Sequence, residues 1–412
     1  MPPDLGFGAV HDLAQLPPSK SHAQRMLLLA ALVPGVHKLR GIGAGLDVQA
    51  TLRAIRALGA TAEERGDVVH VRGIDCGAKP LQARVHCAEN GTLLRSLGVI
   101  VPALGGAVAL DADEALRRRP LQPLLDAWQA LGVVHGTDWP LSTVAPAVPP
   151  ALPQRVDGRV TTQVATGLLL ALALRGGGSL VVESPGSRDY LQVTAAVLRD
   201  FGFAVDVRAQ GADLAFAVRG AATRNAVLDV PRDPSARCFV LALAALQGLA
   251  VPPVLAVADA AEHPDAAVDA DFARLRAPGD IVLEGLAGRP DSVPALAVAA
   301  AFRRGTTHMP GLSVLRGKES DRLDQLARGI TACGASCHIE DEGLVVTGPL
   351  APPGAPAVVD CAPDHRIVMA LALLGTVLPA GIRLTHAACV AKSWPTFWDW
   401  LTRVAQVERA PA

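Results

Sequence analysis

Lysine is scarce in this chain. Its 412 residues hold five lysines against 33 arginines, so a cation placed only for solubility is almost always an arginine. Lys20, Lys318 and Lys392 therefore read as positions that need a compact ammonium, able to act as a point charge or to lose a proton. Tyrosine is scarcer still, with Tyr190 alone inside the polar stretch Ser187-Arg188-Asp189-Tyr190. An excess of either charge is missing too. The formal net charge is −1, which excludes the basic face of a nucleic-acid binder and an acidic disordered tail. Apolar runs such as Leu168 to Leu174 fall far short of the roughly 20 residues that span a bilayer. The start Met-Pro-Pro-Asp-Leu-Gly lacks the charged and then apolar pattern of a signal peptide. A cytoplasmic protein without a membrane partner is expected. Seven cysteines, odd in number and irregularly spaced, suit buried thiols in a reducing compartment. Cys333, Cys337 and His338 lack a second ligand pair, so packing is expected there and not zinc. Walker loops and dinucleotide fingerprints are absent, and neither a metal nor a cofactor is expected.

What is present begins with core material: half the residues are hydrophobic, and the length exceeds what one compact core holds, which predicts two domains. A repeat organises them. The segment Thr51 to Leu58 reads as an apolar-periodic helix stopped by Gly59, followed by two strands around the turn Arg65-Gly66-Asp67. Leu124 to Leu131 stops at Gly132, Val193 to Phe201 at Gly202 with a turn at Gln210-Gly211, and Leu323 to Cys333 at Gly334 with a turn at Glu342-Gly343. These stop glycines are 73, 70 and 132 residues apart, so one further unit is expected in the last gap. Phe272 to Leu275 with the strand Ile281 to Leu283 is its shortened candidate. A sixth helix, Pro395 to Val404, has no strands after it and is expected to borrow them from the N-terminus. The fold class is α/β (α+β): two similar lobes, each of three units, with the ligand in the cleft between them. The predicted boundaries are residues 1–18 with 232–412 for one lobe and 19–231 for the other.

Polar islands punctuate this plan, mostly where helices begin. Ser19-Lys20-Ser21, followed by Arg25, offers backbone N–H groups, hydroxyls and an ammonium, all suited to an anion. Capping explains the serines but not Lys20, because a cation at that end opposes the helix dipole. Glu89-Asn90-Gly91-Thr92, followed by Arg95, reads as a capped helix start. The Arg117-Arg118-Arg119-Pro120 run supplies an anion clamp if one arginine turns inward. Thr161-Thr162-Gln163 reads as strand residues, and Asp233-Pro234-Ser235 as a cap. Asp291 is either an N-cap or a carboxylate held at a site. In Leu315-Arg316-Gly317-Lys318-Glu319-Ser320-Asp321-Arg322, Lys318, Glu319 and Arg322 would share one neighbourhood on a helix. Pro363-Asp364-His365-Arg366 and Ala391-Lys392-Ser393 complete the set. Lys20, Arg25, Arg95, Arg119, Arg316, Lys318, Arg322, Arg366 and Lys392 are nine candidate cations, and if even five converge the ligand carries several negative charges, as phosphates and carboxylates on a small molecule do. Asp291, Glu319 and His365 beside them make proton transfer available.

Taken in order from about Leu16 to Leu401, these stretches resemble the 5-enolpyruvylshikimate-3-phosphate synthases. Lys318-Glu319-Ser320-Asp321-Arg322 and Asp364-His365-Arg366 carry most of the likeness. The related UDP-N-acetylglucosamine enolpyruvyl transferases would carry Lys-Asn at Lys20-Ser21 and a loop cysteine. The resemblance implies an inside-out α/β barrel in each lobe, built from βαβαββ-like units. It implies that Ser21, Arg25, Thr161, Thr162, Gln163, Ser187, Tyr190 and Lys318 hold shikimate 3-phosphate. Lys20, Gly91, Thr92, Arg95, Arg119, Gln163, Arg322, Arg366 and Lys392 would hold phosphoenolpyruvate, and Lys20, Asp291, Glu319 and His365 would serve catalysis in a monomer without cofactor. Departures are Glu89, where the family usually has an amide, Arg237 where a small residue is common, Val314, and threonines for a serine pair. The alternative readings are a paralogue using another cyclic hydroxy-acid, or a ligand-binding relative with weak catalysis.

Overall fold

Six helices among the described residues are buried on nearly every side, which places them inside the protein and not on its surface. The computed structural model describes residues 16–76, 81–248 and 262–405. In it the chain divides into two compact units, Met1–Pro17 with Arg232–Ala412, and Pro18–Pro231. No helix among the described residues is long and apolar enough to cross a membrane.

In the Pro18–Pro231 unit the inner helices are Lys20–Leu32, Gly91–Ala103 and Gln163–Leu174. From Val164 to Ala173 every residue of the third is buried. Gly167 lets that helix press against its neighbour, since a Cβ there would lie 2.7 Å from the Ser96 carbonyl oxygen. Around the helices stand three sheets of one design. Gly35–Arg40 pairs in parallel with Val227–Asp229 and antiparallel with Val68–Gly73, which pairs antiparallel with Thr61–Arg65. Arg155–Asp157, Gly178–Glu183, Asp213–Arg219 and Ala204–Gln210 repeat that order. In the third sheet Gln82–His86, Ala107–Asp111 and Leu141–Ser142 follow the same plan, and the last strand shrinks to a single bridge between His135 and Thr143.

The other unit has the inner helices Pro234–Gln247, Val293–Phe302 and His365–Gly375. Ile281–Val282, Gly305–Met309, Gly343–Gly348 and Ser336–Glu340 form its full sheet, with Ala357–Val359 and Ile382–Leu384 as a two-stranded one. Outer helices are amphipathic: Arg322–Ala332 buries Leu323, Leu326, Gly329 and Ile330, and Phe397–Ala405 buries Phe397, Trp400, Leu401 and Val404. Each unit has its own apolar core.

The βαβαββ repeat is present, and Gly59, Gly132, Gly202 and Gly334 all stop their helices with positive φ. Several local expectations need correction. Ile281–Val282 opens the unit that follows it, by pairing with Gly305–Met309, and does not close the shortened one. Thr162 is no strand residue but stands at the N-cap of Gln163–Leu174. The N-cap before Val293 is Ser292, so the Asp291 carboxylate is not spent on capping. Lys318 lies outside the helix, which begins only at Arg322. The left-handed turn residues before Gly343 are Asp341 and Glu342. Strands borrowed from the N-terminus for the sixth unit would lie outside the described residues.

Candidate active site

Within Pro18–Pro231 the polar side chains gather where the three inner helices begin. Ser19 and Asn90 accept hydrogen bonds from His22 N and Leu93 N, at 3.5 and 2.9 Å. Both caps are neutral, so neither offsets the positive dipole end that favours an anion. Lys20, at the first position of its helix, places Nζ 3.0 Å from Oδ2 of Asp47 on the Leu46–Ala57 helix. Gly91 lies under two guanidinium groups: a Cβ built on it would be 2.8 Å from Arg95 Nη1 and 3.2 Å from Arg119 Nη1. Arg95 is fixed from behind by donating to Gln163 Oε1 at 2.8 Å and to the Pro120 carbonyl at 2.7 Å. Gln163 Nε2 donates to Thr92 Oγ1 at 3.0 Å, and Gln163 N to Thr161 Oγ1 at 3.3 Å. Lys20, Gly91, Thr92, Arg95, Arg119, Thr161, Thr162 and Gln163 thus sit on or beside helix N-termini of one unit.

Arg25 has a different setting. It is buried, donating from Nε to Thr194 Oγ1 at 2.8 Å and from Nη1 to the Ser21 carbonyl at 2.8 Å. Its Nη2 reaches Thr166 Oγ1 and the Tyr190 carbonyl, both at 3.4 Å. Burial pushes its pKa down to about 10, against the opposing pull of Tyr190. It ties Ser21 to the Tyr190 helix start, where buried Ser187 accepts from Tyr190 N at 3.3 Å through its carbonyl.

The second cluster, within the other unit, is centred on Arg322, which is 1% exposed. Its Nε donates to Asp364 Oδ2 at 2.8 Å, Nη1 to Asp291 Oδ1 at 2.8 Å and Nη2 to Glu319 Oε2 at 2.9 Å. Burial alone would lower its pKa, but the Asp364, Glu319 and Asp291 carboxylates outweigh it and hold the guanidinium charged far above its ordinary range. Lys392 Nζ lies 3.3 Å from the second oxygen of Glu319, and Arg366 Nη2 3.3 Å from the second oxygen of Asp291. Asp364 caps the inner helix through Arg366 N at 3.0 Å and accepts from Ser320 Oγ at 3.0 Å. Three carboxylates and three cations are interleaved, and Asp291 and Glu319 each bridge two cations. His365 is buried beside this array, its Nδ1 4.0 Å from Asp364 Oδ1.

Arg316 and Asp321 stand apart from it. Asp321 caps the helix through Asp324 N at 3.2 Å, and Arg316 joins Asp321 and Glu342 at 2.6 and 2.7 Å on the surface. Lys318 is half-buried. Cys333 and Cys337 are buried, their thiols pushed up by that burial to about 11 and about 12. Arg237 is buried as well and forms a two-pronged pair with Asp269 at 2.8 and 2.5 Å. Sequence reading missed Asp47. The available signal was Lys20 itself, since a cation at a helix N-terminus requires an anion from elsewhere.

A sequence model of the family EPSP synthase (3-phosphoshikimate 1-carboxyvinyltransferase) matches residues 8–401. The chain is 32% identical over 398 residues to 3-phosphoshikimate 1-carboxyvinyltransferase of Pseudomonas syringae pv. syringae, covering 93% of each. Against the enzyme of the same name from Halobacterium salinarum it is 34% identical, covering 95% of this chain and 96% of the relative. Among solved structures, EPSP synthase from Acinetobacter baumannii shares the fold with a TM-score of 0.70 at 24% identity over 94% of both chains. The enolpyruvyl transferase NikO from Streptomyces tendae does so with 0.68 at 16% identity, over 94% of this chain and 93% of that one. With the family's model spanning nearly its whole length, the chain belongs to the EPSP synthases.

Proposed function

We propose that this protein transfers the enolpyruvyl group of phosphoenolpyruvate to the 5-hydroxyl of shikimate 3-phosphate and releases phosphate. The observation that carries this reading is the Arg322 cluster, in which Asp291 and Glu319 are each held within 3.3 Å of two cations. A carboxylate fixed in that way can pass a proton while its neighbours balance the charge. The acceptor's 5-hydroxyl gives up its proton as its oxygen adds to C2 of phosphoenolpyruvate, and C3 gains a proton. The resulting tetrahedral centre then loses phosphate from C2 and a proton from C3, which restores the double bond. Asp291 and Glu319 take and return these protons, with Lys20 assisting. His365, packed against Asp364, supports the cluster.

Lys20, Arg95, Arg119, Arg322, Arg366 and Lys392 bind the phosphate and carboxylate of phosphoenolpyruvate, and stabilise the charge that collects on the departing phosphate. Gly91, Thr92 and Gln163 shape the seat beside the first of these cations. Ser21, Thr161, Thr162, Gln163, Ser187, Tyr190 and Lys318 hold the phosphorylated acceptor, with Arg25 fixing Ser21 and Tyr190 from behind. No step calls for a metal or a redox cofactor. A phosphate-release assay with shikimate 3-phosphate and phosphoenolpyruvate tests the reading, and turnover dependent on both is expected. Silence with tight binding of shikimate 3-phosphate would instead mark a ligand-binding relative, and silence without binding would mark a different acceptor. Lys20→Met is expected to abolish turnover in a folded protein; an active variant would remove Lys20 from the mechanism.

A further inference from the structure

Asp47 joins two parts of the anion-binding apparatus through its two ends. Its carboxylate meets Lys20 Nζ at 3.0 Å, with the two side chains only 6% and 18% exposed. Its backbone carbonyl accepts from Asn90 Nδ2 at 2.9 Å and from Thr51 Oγ1 at 2.9 Å. Asn90 also accepts from Leu93 N at 2.9 Å, and so caps the helix whose first residue is Gly91. The ammonium that begins one inner helix and the glycine seat that begins the next are therefore both tied to one residue, 27 positions beyond Lys20.

A buried ion pair of this kind is weak evidence for stability, because desolvation consumes most of its attraction. A lysine at a helix N-terminus adds a further electrostatic cost. An arrangement serving the fold alone would need neither charge. What the pair does achieve is to fix a cation that otherwise swings on a flexible four-carbon stem. We infer that Asp47 is a positioning residue, holding the Lys20 ammonium at a set place relative to the Gly91 seat so that both meet one phosphoenolpyruvate.

This inference rests on the enolpyruvyl-transfer reading, and its test separates the two. Four proteins are compared: native, Asp47→Asn, Lys20→Ala and the double variant. Phosphoenolpyruvate binding is measured by calorimetry, and turnover where it exists. Asp47→Asn is expected to weaken phosphoenolpyruvate binding about tenfold and to lower kcat by about tenfold to a hundredfold, the scale of a small misplacement of a reacting group. KM for shikimate 3-phosphate should stay within about threefold, since only binding of the other substrate is touched. In the Lys20→Ala background the same substitution should change phosphoenolpyruvate binding by less than about twofold, because a residue that acts through Lys20 has nothing left to position. Asp47→Glu should recover part of the lost affinity.

The melting midpoint of Asp47→Asn should remain within a few degrees of native, since the Lys20 side chain, 18% exposed, can hydrate its charge and the carbonyl bonds to Asn90 and Thr51 survive. Equal losses in both backgrounds, native-like kinetics of Asp47→Asn, or collapse of its fold would each overturn the role of Asp47. A native protein that neither binds phosphoenolpyruvate nor releases phosphate would overturn enolpyruvyl transfer itself.

Discussion

Arg322 commits all three guanidinium nitrogens to carboxylates, and that commitment makes it a scaffold for Asp364, Asp291 and Glu319. Removing one partner of such a buried set leaves the rest uncompensated, a change that typically costs about 3–5 kcal/mol. Glu319→Gln avoids this, because an amide oxygen can still accept from Arg322 while the side chain no longer carries a proton. We expect kcat to fall about 10²–10⁴-fold, the usual worth of a general acid–base group, with melting little changed; a kcat near native would clear Glu319 of proton transfer. Asp265 is a different kind of carboxyl. It is fully buried, with Oδ2 2.5 Å from Ser235 Oγ, and burial first, then the nearby Asp291 charge, push it up to about 7. Asp233 adds to the rise, whereas Ser235 and Arg366 oppose it. An unfolded aspartate releases its proton near pH 4. Between about pH 4 and 7 the folded chain therefore holds a proton that the unfolded chain has lost, so this group's contribution to stability is full below pH 4 and declines as pH rises through 7. Asp265→Asn should flatten that decline in melting curves recorded from pH 4 to 8, and an unchanged slope would refute the assignment.

At the scale of elements, the site is a property of helix starts. The helix beginning at Gly91 is the sharpest case, since its first residue has no side chain and two arginines occupy the space a Cβ would take. Gly91→Ala would push against Arg95, which Gln163 and Pro120 hold in place. The expected result is a KM for phosphoenolpyruvate raised about tenfold with a smaller change in kcat, the pattern of lost binding. Steady-state kinetics at varied phosphoenolpyruvate would show it, and an unaltered KM would mean that no substrate group rests on Gly91. The stop glycines at 59, 132, 202 and 334 were legible in the sequence because a glycine directly after an apolar-periodic run stands where a helix ends in the left-handed conformation. Lys20 stood out through a charge set against the helix dipole, and the Lys318–Arg322 stretch through its density of charge. Asp47 was not, because an aspartate in the first turn of a helix already satisfies the dipole and asks for no partner. Thr162 misled because β-branched residues favour strands unless tertiary packing sets them at a helix start. Asp291 remained ambiguous because only the fold decides whether Ser292 or Asp291 does the capping.

At the scale of the whole molecule, the two units differ in how they treat the same feature. In Pro18–Pro231 the inner-helix caps with a bonded side chain are Ser19 and Asn90, both neutral, whereas in the other unit they are Asp233 and Asp364, both carboxylates. Neutral caps leave the dipole available to an anion, and carboxylate caps offset it and recruit arginines. On the proposed reading the proton-carrying carboxylates Asp291 and Glu319 both belong to the second unit, whereas the anion-binding cations come from both. The units also differ in continuity, since Pro18–Pro231 is a single run and the other is composed of two. The single run has its own apolar core, from Ala23 to Ala226, and hydrogen bonds its first residues to its last through Ser19 N and the Pro231 carbonyl at 2.7 Å. At about 150 or more residues a domain buries about 70% of the surface its unfolded chain exposes, enough to fold without help. Residues 18–231 expressed alone should therefore give a cooperative melt and dispersed amide resonances. The fragment should release no phosphate from the substrate pair, because Asp291, Glu319, Arg322, Arg366 and Lys392 are all missing from it. A fragment that stays unfolded would show that its core depends on the rest of the chain, and one that turns over would remove the second cluster from catalysis.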